Sequence, residues 1–96
     1  MHNKHYIGEI GTVILVDCGC DISSSTVHEL KIKKPSGTEV SWNAEVVDKN
    51  FLKYTINKDD FNEKGIYYLQ SYLEFNNGWK GLGETVIFYV CDKWER

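Results

Sequence analysis

The segment Val40-Ser41-Trp42-Asn43-Ala44-Glu45-Val46 constrains this chain more than any other, because apolar and polar side chains alternate without a break across it. Successive side chains of a strand point to opposite faces, so a period of two puts Val40, Trp42, Ala44 and Val46 on one buried face and is at odds with a helix. The pattern recurs. Leu30 and Ile32 stand inward in a strand over 26–34, with Glu29, Lys31 and Lys33 outward. Leu52, Tyr54 and Ile56 alternate with Phe51, Lys53 and Thr55. The longest run, Ile66–Phe75, sets Tyr67, Leu69, Leu73 and Phe75 on one phase and Tyr68, Gln70, Tyr72 and Glu74 on the other. In Glu84–Cys91 the inward residues are Val86, Phe88 and Val90, and Thr85, Ile87 and Tyr89 face outward. Only the first strand, within Gly8–Asp17, lacks clean alternation: it carries two glycines and the apolar run Val13–Val16, which suggests a bulge or sheet switch at Gly11.

Turn chemistry separates these runs. Lys34-Pro35-Ser36-Gly37 joins two strands as a hairpin, Asp48-Lys49-Asn50 reverses the chain again, and Asn76-Asn77-Gly78 opens a loop through Trp79–Gly83. Cys18–Ser25 is small and polar, hence a loop. Asn57–Lys64 reads as a corner between sheets with a single helical turn through Asp59–Lys64. About seven strands at roughly 8–12-residue spacing is the pattern of an antiparallel two-sheet β-sandwich. Composition agrees: one alanine and six leucines stand against eight valines, eight isoleucines and thirteen aromatics, side chains that suit a pleated, half-buried surface. One domain over 1–96 is expected, with 1–7 and 92–96 as peripheral tails and a core of Leu30, Ile32, Trp42, Tyr67, Leu69 and Phe88.

Several functions are disfavoured. Eleven Lys and Arg against fourteen Asp and Glu, interspersed, give a net charge of −3 and no basic stripe for nucleic acid. No apolar run approaches the roughly 18 residues of a membrane helix, and the N-terminus shows no export signal. Three cysteines, Cys18, Cys20 and Cys91, match no disulfide framework or four-ligand zinc site, although Cys18 and Cys20 with His2 and His5 can be assembled on paper into a metal site. Asp60, Asn62, Lys64 and Gly65 follow the order of a calcium loop, but lysine occupies the fifth position and Ser71 the twelfth. No catalytic motif is present, His28 falls on an inward phase as a structural histidine does, and Asp59-Asp60 reads as a solvated or capping pair. Neither enzyme activity nor a cofactor or metal is expected.

The corner Asp60…Gly65-x-Tyr67-x-Leu69 resembles that of immunoglobulin-like domains, in which a tyrosine bonds back to the preceding turn. Trp42 sits where such domains carry their core tryptophan, and Leu30 or Ile32 packing on Leu69 replaces the inter-sheet disulfide. Further, Asp21-Ile22-Ser23, Leu30-Lys31-Ile32-Lys33-Lys34-Pro35-Ser36-Gly37-Thr38, Tyr54-Thr55, Asp60-Phe61, Gly65–Gln70, Gly78-Trp79-Lys80-Gly81, Glu84-Thr85-Val86 and Phe88-Tyr89-Val90 are similar to small bacteriophage virion-associated proteins. In particular they resemble the immunoglobulin-like N-terminal module of phage baseplate upper proteins. The resemblance spans Gly8 to Val90. It implies a non-enzymatic virion subunit, assembled in the host bacterial cytoplasm, and, with nothing after Arg96, a standalone accessory or docking role.

The outward phases locate a candidate binding face. Tyr68 and Tyr72 share it with Ile87 and Tyr89, with Trp79 at its end, and surplus exposed aromatics of this kind are what protein interfaces are enriched in. Docking to phage structural proteins or self-association is the favoured reading. A carbohydrate-binding module using the exposed rings, and a small phage-encoded inhibitor of a host protein, are the alternatives.

Overall fold

The computed structural model describes residues 5–94. Among them the chain forms nine strands and no helix: β1 (His5–Tyr6), β2 (Val13–Asp17), β3 (Ser25–Lys33), β4 (Glu39–Asn43), β5 (Glu45–Val47), β6 (Phe51–Thr55), β7 (Gly65–Phe75), β8 (Lys80–Leu82) and β9 (Val86–Cys91). They build an all-β sandwich of the immunoglobulin-like kind. The larger sheet runs β1-β9-β7-β3-β4, with β8 paired to β7, and the smaller runs β2-β6-β5. All three cysteines are free.

The expected bridge between sheets from Leu30 or Ile32 to Leu69 is not formed, because β3 and β7 are neighbours in one sheet and Ile32 lies directly opposite Leu69 within it. The other differences from expectation have local reasons. Val40–Val46 is not one strand: β4 belongs to the larger sheet and β5 to the smaller, and the chain changes sheets at Ala44. The alternation survives because both halves face the same interior, Trp42 from one side and Val46 from the other. Ala44 is small and buried at the corner, and its N–H donates to the carbonyl of His28 (3.2 Å). His5 and Tyr6, assigned by sequence to a tail, pair in parallel with Val90 and Cys91, so the sandwich is not wholly antiparallel. Residues 1–4 and 95–96 of the expected tails, with His2, lie outside the described residues. The expected helical turn over 59–64 is instead a plain turn, with Asp59 at φ 71°.

The first strand begins only at Val13. Upstream, Gly11 N–H donates to the carbonyl of Ile56 while Ile56 N–H donates to that of Thr12, so two residues oppose one. With Gly11 at φ 91° this is a glycine bulge, a conformation costly for any residue with a Cβ.

The core lies between the sheets. Leu30, Ile32, Trp42, Tyr67, Leu69 and Val90 from the larger sheet meet Leu52 from the smaller sheet and Ile56 just after β6, and Phe88 is half-buried against them. Trp42 stacks on Tyr54 with centroids 4.6 Å apart. The ring with most aromatic neighbours is Phe61, from the β6–β7 corner. It touches His5, Trp42, Tyr67 and Phe88 at 5.5–6.3 Å.

Tyr67 fixes that corner. Its hydroxyl donates to the carbonyl of Glu63 (2.9 Å) and accepts from the N–H of the same residue (3.1 Å). Two polar groups of an otherwise bare turn are thereby satisfied by a side chain anchored in the core. Asp60 holds the turn's other end, accepting from the Tyr54 hydroxyl (2.6 Å) and from the N–H of Asn57 (2.7 Å).

A candidate docking face

Register decides which side chains share the outer face of the larger sheet. Ile66 lies opposite Tyr89 and Tyr68 opposite Ile87 across β7 and β9. These four belong to the outward phase of adjacent strands, where directly opposed side chains stand about 4.5–5.5 Å apart at Cβ. All four are exposed, Ile87 to 63%. A depression of about 440 Å³ beside them is bounded by Ile66, Tyr68 and Tyr89 and by Lys33, Lys34 and Pro35.

On the next two strands the same face turns polar. Lys33 is opposite Tyr68, Lys31 opposite Gln70 and Glu29 opposite Tyr72, with Glu39, Ser41 and Asn43 beyond on β4. Lys31 Nζ donates to Glu29 and to Ser41, both at 2.9 Å, and sits 4.8 Å above the Tyr72 ring. An apolar patch with a charged margin is the anatomy of an interface core and rim.

Of the sequence candidates, Tyr68, Ile87 and Tyr89 come together in the apolar patch. Tyr72 lies on the same face but in its polar margin: it is half-buried, and its hydroxyl donates to Glu74, a bond that raises its pKa above the ordinary phenol value. Trp79 is not on this face. Its ring stands edge-on to Phe75 (5.7 Å) and covers Gly81, where a Cβ would come within 2.5 Å of it. Gly81 opposes Leu73, a buried inward-phase residue, so Trp79 closes the opposite side of the hairpin end. The sequence reading passed over Ile66 and Leu82. Ile66 was legible as the outward residue two before Tyr68; exposed Leu82, opposite Tyr72, depends on the short β8 pairing that alternation cannot reveal.

The titratable groups considered for chemistry serve the fold. His28 Nδ1 is bonded to the carbonyl of Ala44 at the sheet switch. Glu9 accepts from the N–H of Tyr6 (2.6 Å) and from Thr12 (2.7 Å) and lies 3.3 Å from His5; these bonds hold its pKa below the ordinary carboxylate value despite the opposing effect of burial. Burial pushes the Cys18 thiol up, away from the thiolate that ligation or nucleophilic attack needs. Among the described residues, no three His, Cys, Asp or Glu side chains gather as a metal site would require.

Fold and face together define a two-sheet immunoglobulin-like sandwich with one outer face half apolar. No protein-family model matches the sequence, and no curated protein matches it. Among solved structures the chain is similar to CopC from Methylosinus trichosporium OB3b, with a TM-score of 0.64 over 99% of this chain and 90% of that one, at 13% identity. The likeness is one of fold.

Proposed function

We propose that this chain is a non-enzymatic docking domain that joins other protein subunits through the Ile66, Tyr68, Ile87 and Tyr89 face. Following the sequence resemblance, we further propose that those subunits are structural proteins of a bacteriophage particle, so that the chain resides in the virion. One observation carries the docking reading: four large apolar side chains, contiguous by strand register, are left in water beside a charged margin. The carbohydrate alternative draws less support, because Trp79 does not share a face with the tyrosines.

Magnitudes favour a many-copy assembly over a tight pair. Fully burying such a side chain is worth about 1.5–3 kcal/mol, and these are already partly covered, so the patch offers roughly 4–5 kcal/mol in all. That is near the lower end of the roughly 4–15 kcal/mol that association costs in lost freedom. A single contact is therefore weak, and repetition within one particle strengthens it through effective concentration.

The test pairs Tyr68→Ser with Ile87→Lys, both at exposed positions. Mass spectrometry of purified particles should find the unaltered chain and not the variant, while the variant's unfolding curve stays close to that of the parent. Incorporation of the variant at the parental level would refute the docking face. Absence of the parent chain from particles would refute the virion role.

A further inference from the structure

A second surface, independent of the docking face, opens on the other side of β9. The larger sheet is five strands across and the smaller is three, so the sandwich is unequally covered. A groove of about 700 Å³ runs where the smaller sheet stops, walled by β2 and floored by Leu69, Ser71, Val86 and Phe88. Val86 shows the mismatch most clearly. Opposite Leu69, it belongs to the inward phase, yet it is 46% exposed where a sandwich would cover it.

The wall is an unpaired strand edge. Among the described residues β2 pairs only with β6. The carbonyl of Thr12 and the N–H of Cys18 both bond to the β6 side, so even-numbered residues of β2 turn their backbone groups that way. In an antiparallel ladder alternate residues point the other way, which directs the N–H and C=O of Val13, Leu15 and Asp17 off the edge. Such groups recur about every 6.8 Å, a repeat that another extended chain matches. Between the bulge at Gly11 and Asp17 this edge carries no proline or lysine, and Val13 and Leu15 are exposed on its outer side.

We propose that the groove is a strand-addition site that takes one extended polypeptide segment of a partner, alternately apolar, with lysine or arginine flanking its apolar positions. The segment bonds to Val13, Leu15 and Asp17 and lays its inward side chains on Val86 and Phe88, completing the smaller sheet. Two features select this occupant. Asp17 and Glu84 are among the residues that line the groove and make it acidic; neither has an ion-pair partner within 4 Å among the described residues, and Asp17 accepts only from the neutral Gly19 N–H (2.8 Å) and the Asn50 amide (3.0 Å). A single extended segment brings no further sheet to the edge, whereas a second copy's β2 would carry its own five-strand sheet with it.

The probe is a fluorescein-labelled heptapeptide alternating valine and threonine between terminal lysines, read by anisotropy and by amide shifts of the full chain. Saturable binding is expected with Kd below about 1 mM, with shifts at Val13–Asp17. Leu15→Pro removes an edge donor without breaking the β6 ladder and should weaken binding about tenfold. The same peptide methylated on every backbone nitrogen should not bind the unaltered protein, a control that leaves the fold untouched. No saturable binding overturns the proposal, as does equal binding of the methylated peptide or equal binding by Leu15→Pro. A glutamate-flanked peptide that binds as well overturns the proposed charge preference. Self-association abolished by Leu15→Pro overturns it in favour of a second copy.

Discussion

Replacing Tyr67 by phenylalanine isolates the energy of the corner. The ring is fully buried, stacked on Phe88 (5.4 Å) and edge-on to Phe61 (5.6 Å), and phenylalanine keeps both contacts. What disappears is one hydroxyl with two bonds to Glu63, donating at 2.9 Å and accepting at 3.1 Å. Each is worth about 0.5–1.5 kcal/mol net, and Glu63 is only half-buried, so water partly replaces the lost partner. The expected loss is about 2 kcal/mol, a fall in Tm of roughly 8–16 °C for a domain of this size. Urea unfolding at pH 7, followed by tryptophan fluorescence, should show a lower midpoint with unchanged m. The effect depends on pH. Burial raises the Tyr67 pKa above its unfolded value, with the Glu63 charge adding and the bond from the Glu63 N–H opposing. The fold therefore prefers the protonated phenol, a contribution that is whole below the unfolded pKa of about 10 and is lost as pH rises through the higher folded value. The gap between parent and variant should narrow above about pH 10. A loss under about 0.5 kcal/mol at pH 7, or a gap that widens in alkali, refutes the reasoning.

Two further substitutions probe neighbouring constraints. Gly65→Ala forces a side chain onto a residue at φ 132° and sets its Cβ 2.9 Å from Pro35, so a loss of at least about 1–3 kcal/mol in urea unfolding is expected; an unchanged midpoint contradicts it. Tyr54 has its pKa pushed up to about 12, first by burial and then by the bond to Asp60 and its charge. Asp60→Asn should lower that value while burial keeps it above the ordinary phenol range, as read from phenolate absorbance across an alkaline titration; a titration that does not move shows that Asp60 has no part in it.

Period-two alternation carried the sheet faces, because burial on one side writes itself directly into the sequence. It marked Leu30, Ile32, Trp42, Tyr67 and Leu69, all buried, and the inward histidine His28. It could not distinguish one strand from two meeting at Ala44, since a corner that keeps both halves facing one interior leaves the pattern unbroken. It was blind to β1 and β8, whose two and three residues are too short to show a period. Phase also gives the direction of a side chain but not what lies across from it. Val86 is inward by phase and half-exposed in fact, because the smaller sheet ends before reaching it. Trp79 was misplaced for a related reason: the face a loop ring joins is set by the small residue beneath it, here Gly81, and not by its spacing from strand residues.

β9 serves both surfaces, and this makes them separable. Its even residues Val86 and Phe88 floor the groove, while Ile87 and Tyr89 stand on the opposite face, in the docking patch. Adjacent strand side chains point apart and share no partner here: Val86 opposes Leu69 and Ile87 opposes Tyr68. Each side chain here meets its own ligand on its own side of the sheet, so a change on one side should alter binding on the other by no more than about 0.5 kcal/mol, a factor of roughly two in affinity. Ile87→Lys should therefore abolish particle incorporation and leave the peptide Kd within about twofold, and Val86→Lys should weaken the peptide and leave incorporation intact. Both are exposed positions, so each variant should keep a parental unfolding midpoint. If either substitution impairs both activities with that midpoint unchanged, the two surfaces are one site, and the division of labour across β9 is wrong.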